Sequence, residues 1–371
     1  MDPKDVIPTK GTVDEQGKSV ALGNIANLRA STGMFGAGYI EMLAREMTED
    51  LHKIRNSMRP GDNRILNTKG ISFGRLSRGV DGVWDISKVT GLPRASILTA
   101  TSLDPPTLVV RPWSQAGNSA SLREFTNTAM NHHHGIQTTE RFGSDTDPDG
   151  DGVVNELTRA DMTALSVYQA TLAVPGQVIP NDPEIEKAII HGQQVFSQIG
   201  CSECHIPALP LTKKNWIYTE PNPYNPSTNL RVGEAQTLNI DLNDPGLPQP
   251  RLKPENGNTN VITVPAFTDL KLHDITDPAD DYGVEPLDMN QPVWSQKFVA
   301  GNRKFITKRL WGAANEPPFF HHGLFTTLRQ AVLAHSGEAL NSRRSFQSLV
   351  TYDQDSLIEF LEITSSPDAG R

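Results

Sequence analysis

The chain has 371 residues, enough for two or three domains at roughly 150 residues each and ample to bury a core. A net charge of -9 leaves no basic footprint for nucleic acid, and no stretch approaches the roughly 18 apolar residues of a membrane span. Two cysteines three positions apart exclude a disulfide scaffold, and 27 prolines with 29 glycines predict much turn and irregular loop.

The N-terminus, Met1-Asp2-Pro3-Lys4-Asp5, is polar and has no apolar run behind it, so no secretory leader is visible. After a glycine-rich turn at 32–38, apolar residues recur at 39, 40, 43, 47 and 51, the period of an amphipathic helix. Residues 70–115 are broken by Gly70, Gly74, Gly79, Gly82 and Gly91 and read as short strands. Ser121 to Asn131 predicts a short helix ending near His132-His133-His134-Gly135. Arg159 to Leu172 predicts another, capped by Thr158 or Asp161 and closed by Pro175. A proline-bearing linker follows, then a helix from Pro183 to Ile199 with proline suited to the first turn. Residues 206–315 form a long insertion rich in Pro and Asn. A loop of that length must pack on something, and a large cofactor supplies a surface. Helices over Thr327–Ala334 and Gln354–Ile363, the latter with Asp353 as N-cap, finish the chain. The expected fold is mainly α with extensive irregular loops and a few short strands. The expected division is an N-terminal region, 1–178, and a C-terminal domain, 179–371, carrying the insertion.

The chemistry concentrates in Cys201-Ser202-Glu203-Cys204-His205. Two thiols at i and i+3 on one helical turn can add to the two vinyl groups of a haem, and the adjacent histidine then lies beneath the iron as proximal ligand. A redox C-x-x-C of thioredoxin type wants a βαβ context, which the pattern lacks. Zinc would need two further ligands, which other histidines could supply. The pattern therefore predicts one covalent haem c. Bacteria attach such haems outside the cytoplasm, so the expected location is periplasmic or extracytoplasmic, and the missing leader suggests a mature or truncated chain. The helix before the motif and the helix at the C-terminus match a small cytochrome c domain, whose terminal helices cross beside the haem.

Several segments resemble the di-haem oxidoreductases, the thiol oxidoreductases related to bacterial di-haem cytochrome c peroxidases. They are Phe196 to Leu209, Phe267-Thr268-Asp269-Leu270-Lys271-Leu272-His273-Asp274, Leu310-Trp311-Gly312, Pro317 to Gly323, and Thr327 to Ala339. The resemblance reaches more loosely back to Ser121–Phe142. It implies that the motif is the electron-feeding haem of the C-terminal domain. It also implies that His335, in the helix after the turn Phe320-His321-His322-Gly323, is the sixth iron ligand. Met289 and His273 are weaker candidates for that role. Family members carry two C-x-x-C-H motifs and this chain carries one, so the peroxidatic haem is expected to be missing.

Asp145, Asp147, Asp149, Asp151 and Glu156 fall at positions 1, 3, 5, 7 and 12 of an EF-hand-like loop with Gly150 at position 6. Hard carboxylate oxygens at that spacing predict a structural Ca²⁺ site at 145–156, although Gly152 stands where an apolar residue is usual. The triplet His132-His133-His134 reads as polar residues at a helix C-terminus, of which one or two could face a common centre. Three functions remain open from the sequence. They are an oxidoreductase of di-haem peroxidase type or its electron-feeding part, a simple electron carrier, and a calcium-stabilised haem scaffold. A small cytochrome or cupredoxin is the expected redox partner; no catalytic residue is assigned.

Overall fold

The computed structural model describes residues 29–363, except 177–179, 213–215, 255–259, 278–283, 286, 289, 293 and 294. About 36% of the described residues are helical and the strands are short, so the fold mixes α and β. Met289 lies outside the described residues.

Helix α1 (Ala37–Asn56) follows the predicted pattern, burying Tyr39, Ile40, Leu43, Met47 and Leu51. Each such side chain withdrawn from water stabilises the fold by roughly 1.5–3 kcal/mol. Against α1 lies an antiparallel ribbon of β1 (Asn63–Thr68), β2 (Ile71–Arg78) and β3 (Trp84–Asp85). Leu66, Ile71, Phe73 and Leu76 join it in one core. Helix α2 (Leu122–His134) starts where the Ser121 hydroxyl accepts a hydrogen bond from the Glu124 N–H. In α3 (Arg159–Ala170), Thr158 and Asp161 cap the start together as a reciprocal box, where the sequence offered one or the other.

The insertion at 206–315 is not structureless. Its strands form three two-stranded ribbons: β4 (Leu209–Leu211) with β7 (Ile262–Val264), β5 (Ile217–Glu220) with β6 (Leu238–Asp241), and β8 (Leu272–Asp274) with β9 (Lys304–Ile306). Leu209, Leu211, Tyr218, Leu242, Ile262 and Val264 are buried in the same core as α1. The surface that much of this stretch packs on is therefore a helix, and the expectation of a cofactor beneath it is corrected for these residues.

A buried ionic network ties these layers together. Arg123, fully buried, donates from Nε to both Glu140 oxygens at 3.0 and 2.9 Å and from Nη1 to Glu220 Oε1 at 3.0 Å. Arg45 pairs with Glu41 one helical turn away, and Asn222 donates to Glu41 at 2.6 Å. Buried charges persist only when paired and hydrogen-bonded, and these are both.

The second core is built by α4 (Pro183–Gln198) and α7 (Thr351–Ile363), with Phe346 of α6 (Leu340–Ser348). Between the insertion and α6 runs α5 (Leu328–Ala334), capped by Thr327 and Gln330. At the α4–α7 crossing Gly192 meets the backbone of Ser356 so closely that a Cβ there would lie 1.9 Å from the Ser356 carbonyl oxygen. Helix α6 was not anticipated. Asp353 sits inside the first turn of α7 rather than capping it, because the helix begins at Thr351.

Candidate functional site

Asp182 starts α4 by accepting from the Glu184 and Ile185 N–H groups at 2.9 and 3.4 Å. The helix ends at Gln198, and Gly200 reverses the chain in the left-handed region at φ 87°, a conformation glycine adopts without steric cost. A tight turn at Cys201–Glu203 follows, and His205 N–H closes it by donating to the Cys201 carbonyl at 3.0 Å. Cys201, Cys204 and His205 are thus displayed together, each half-buried. Cys201 packs against the second core, and burial pushes its thiol up to about 12.

His205 donates through Nδ1 to the Phe267 carbonyl at 3.0 Å. Phe267 takes a φ of 53°, uncommon for a non-glycine residue, which turns that carbonyl out of regular pairing. His335 caps the C-terminal end of α5 and donates through its own Nδ1 to the Ala331 carbonyl at 2.7 Å. The two imidazole rings, 130 positions apart in the chain, lie 6.4 Å apart between centroids. Phe196 lies 6.4 Å from the His205 ring and Phe320 5.3 Å from the His335 ring. Burial, aided by the neighbouring His335, lowers His205 to about 4, and burial lowers His335 as well. Both rings are therefore neutral at pH 7, the form a metal ligand requires.

This arrangement fits a haem iron. With each Nδ1 tied to a carbonyl, each Nε2 is left to ligate, and a carbonyl acceptor on the far nitrogen orients the ring and raises its basicity. A metal–nitrogen bond of roughly 2 Å on each side, plus roughly 1 Å from nitrogen to ring centre, spans about 6 Å, close to the separation found. Cys201 and Cys204 stand beside His205 and form no disulfide with each other.

His273 is placed differently. It donates from Nε2 to Asp269 at 2.8 Å and from Nδ1 to Glu338 at 2.7 Å, with Cys204 Sγ 4.0 Å from Nδ1. Burial opposes its charge, but the hydrogen bond and charge of Asp269, with a contribution from Cys204, outweigh that and raise it to about 10. Both nitrogens are engaged with carboxylates, so His273 clamps the 269–274 segment to Glu338 beside the motif. His321 and His322 are buried, His321 stacking on Phe305 at 3.7 Å. The His132, His133 and His134 triplet is exposed in the last turn of α2.

In the acidic loop Gly150 takes a φ of 68°, which permits the sharp turn. Ligand oxygens of Asp147, Asp149 and Asp151 come within 4.8 Å of one another, and Asp149 Oδ1 is screened from solvent. These carboxylates offer hard oxygen donors of the kind Ca²⁺ takes, and Asp147 also accepts from the Asp151 and Gly152 N–H groups at 3.1 and 3.0 Å. Asp145 and Glu156 stand outside this group. Asp145 exchanges hydrogen bonds with Asn155 at 2.9 and 2.8 Å, and Glu156 accepts from the Gln137 N–H at 2.7 Å.

Residues 257–364 match the family described as "Di-haem oxidoreductase, putative peroxidase". The matched stretch contains His273, His335 and helices α5 to α7, and it begins downstream of the C-x-x-C-H turn. The resemblance read from the sequence is borne out over that stretch, and the match supports a haem-based redox role. No curated protein matches the chain. Among solved structures, Kuenenia stuttgartiensis hydrazine synthase, pressurised with 20 bar xenon, is similar at 15% identity over 95% of this chain and 98% of that one. Its TM-score is 0.35, too low to carry an argument. No described helix is long and apolar enough to cross a membrane.

Proposed function

We propose that this chain is a c-type haem redox protein, with one haem attached through Cys201 and Cys204 and ligated by His205 on one face and His335 on the other. The observation that carries the reading is the pair of imidazole rings 6.4 Å apart, each with Nδ1 anchored to a carbonyl, beside the two cysteines of the motif. Haem bound there supplies one-electron chemistry. The protein's part is to fix both rings and keep them unprotonated, while Phe196, Phe267 and Phe320 shield them from water. A site closed on both faces suits electron feeding better than peroxide cleavage, which needs an open face and a nearby acid–base group.

The wider reading is a chain of two parts, 1–178 and 179–371. The second is cytochrome c-like, with α4 and α7 crossing beside the haem. It works outside the cytoplasm as the electron-feeding part of a di-haem peroxidase-type oxidoreductase. A basic small cytochrome or cupredoxin suits the acidic surface as partner. A structural Ca²⁺ sits among Asp147, Asp149 and Asp151, with Asp145 and Glu156 closing on it. The test is a pyridine haemochrome spectrum of the denatured chain, expected to give one c-type haem per polypeptide. Haem that leaves with acid-acetone would overturn the attachment.

A further inference from the structure

Two cations follow one another at Lys308 and Arg309, and they serve a place other than the histidine pair. Leu310 packs on the second core, whereas the Arg309 guanidinium lies 5.5 Å over the ring of Trp113 in the first. Arg309 is only 9% exposed, and its Nη2 has no hydrogen-bond partner among the described residues. An arginine desolvated without a partner is costly, so a partner is expected. The carboxylate acting on both cations is Glu316, 3.9 Å from Lys308 Nζ. Lys308 is also partly exposed and donates to the Ser31 carbonyl at 3.5 Å, so the charge left without a close acceptor among the described residues is that of Arg309. Burial accordingly brings Arg309 down to about 10, with Glu316 opposing, and lowers Lys308 too.

Lys308 and Arg309 line a cavity of about 20 Å³ together with Thr32, Ser114, Gln115 and Thr307. A single water needs roughly 10–15 Å³ of such space, so the cavity suits one small group and nothing of haem size. Its polar rim is already partly spent. Gln115 gives its amide N–H to the Ala30 carbonyl at 3.0 Å, while Ser114 Oγ accepts from the Asn118 N–H at 2.9 Å and still has its own proton to donate. The exposed lining is mostly apolar, from Ile40, Pro112, Leu270 and Ile306, and the polar groups set into it include two cations and no carboxylate.

We infer that this cavity binds one small monovalent anion, of halide or formate size, held by the Arg309 guanidinium with Lys308 and the Ser114 hydroxyl in support. The planar guanidinium matches a carboxylate fork, and a desolvated cation binds an anion more strongly than an exposed one. This site is independent of the haem reading.

Formate titrated into the full natural chain against gluconate, at constant ionic strength, should raise the melting temperature saturably by about 3 °C. Arg309→Met should abolish the saturable rise, and Lys308→Met should shift its midpoint at least several-fold upward. No saturable rise in the wild type, or an equal one in Arg309→Met, overturns the inference. Should Arg309→Met fail to fold, a bromide soak of wild-type crystals decides. An anomalous peak within hydrogen-bond reach of Arg309 supports the site, and water alone in the cavity refutes it.

Discussion

Replacing Gly192 with alanine probes the helix crossing that frames the site. The added Cβ would fall 1.9 Å from the Ser356 carbonyl oxygen, 2.5 Å from its carbon and 2.9 Å from Phe360 Cβ. Two of these neighbours are backbone, so no rotamer change relieves them. Ordinary contact needs the helices to open by about 1.5 Å, which forfeits dispersion along the whole seam. Phe196 and Phe360, now 5.5 Å apart between centroids, would separate, and with them the wall against His205. Overpacking of this kind costs about 1–3 kcal/mol or more, and alanine returns up to about 1 kcal/mol through helix propensity. The net expectation is a loss of about 2 kcal/mol in urea unfolding with the slope unchanged, and a less firmly held His205 ring. A Gly192→Ala chain as stable as wild type would refute the close crossing.

Three further outcomes follow from the same structure. Burial, with Glu41 adding to it and Arg123 opposing, raises Glu220 from 4.5 to about 7, so the folded chain keeps a proton that the unfolded chain releases. Stability should therefore fall by up to about 3 kcal/mol as pH rises from 4.5 to 7, and Glu220→Gln should flatten that slope; an unchanged slope in chemical denaturation contradicts it. Chelation of Ca²⁺ should lower the melting temperature of wild type more than that of Asp149→Ala, since a ligand at a hundred times its Kd adds about 2.7 kcal/mol; equal melting with and without the ion removes the calcium site. His335→Gly should turn a low-spin ferric spectrum toward high spin and bring out weak peroxidase activity, whereas an unchanged spectrum would assign the sixth position to another residue, Met289 first.

How much of this was legible in the sequence depends on distance along the chain. Helix α1 announced itself because its apolar residues repeat within each turn, and α4 because Pro183 marks its first turn, whereas its Asp182 cap was not read. Helix α6 was not read, since Leu340–Ser348 buries only Phe346 and offers no apolar stripe. The ribbons of the insertion were invisible for another reason. Strands of three or four residues pair with partners far away, as Leu209 does with Val264, and so short a run carries no period. At the site, the cysteines and His205 are local and were found. The anchors were not: the Phe267 carbonyl lies 62 positions from His205, the Ala331 carbonyl is a backbone atom with no side-chain signal, and the bond between His273 and Glu338 spans 65 positions. The ionic network of Glu41, Arg45, Arg123 and Glu220 was missed because charged side chains read as surface until their partners are placed.

The most direct test of iron ligation between His205 and His335 is the low-temperature electron paramagnetic resonance spectrum of the ferric full chain. Ligation by His205 and His335 should give a low-spin signal typical of two imidazole ligands. A high-spin axial signal in the wild-type protein would mean that one face of the iron is open, and would contradict it.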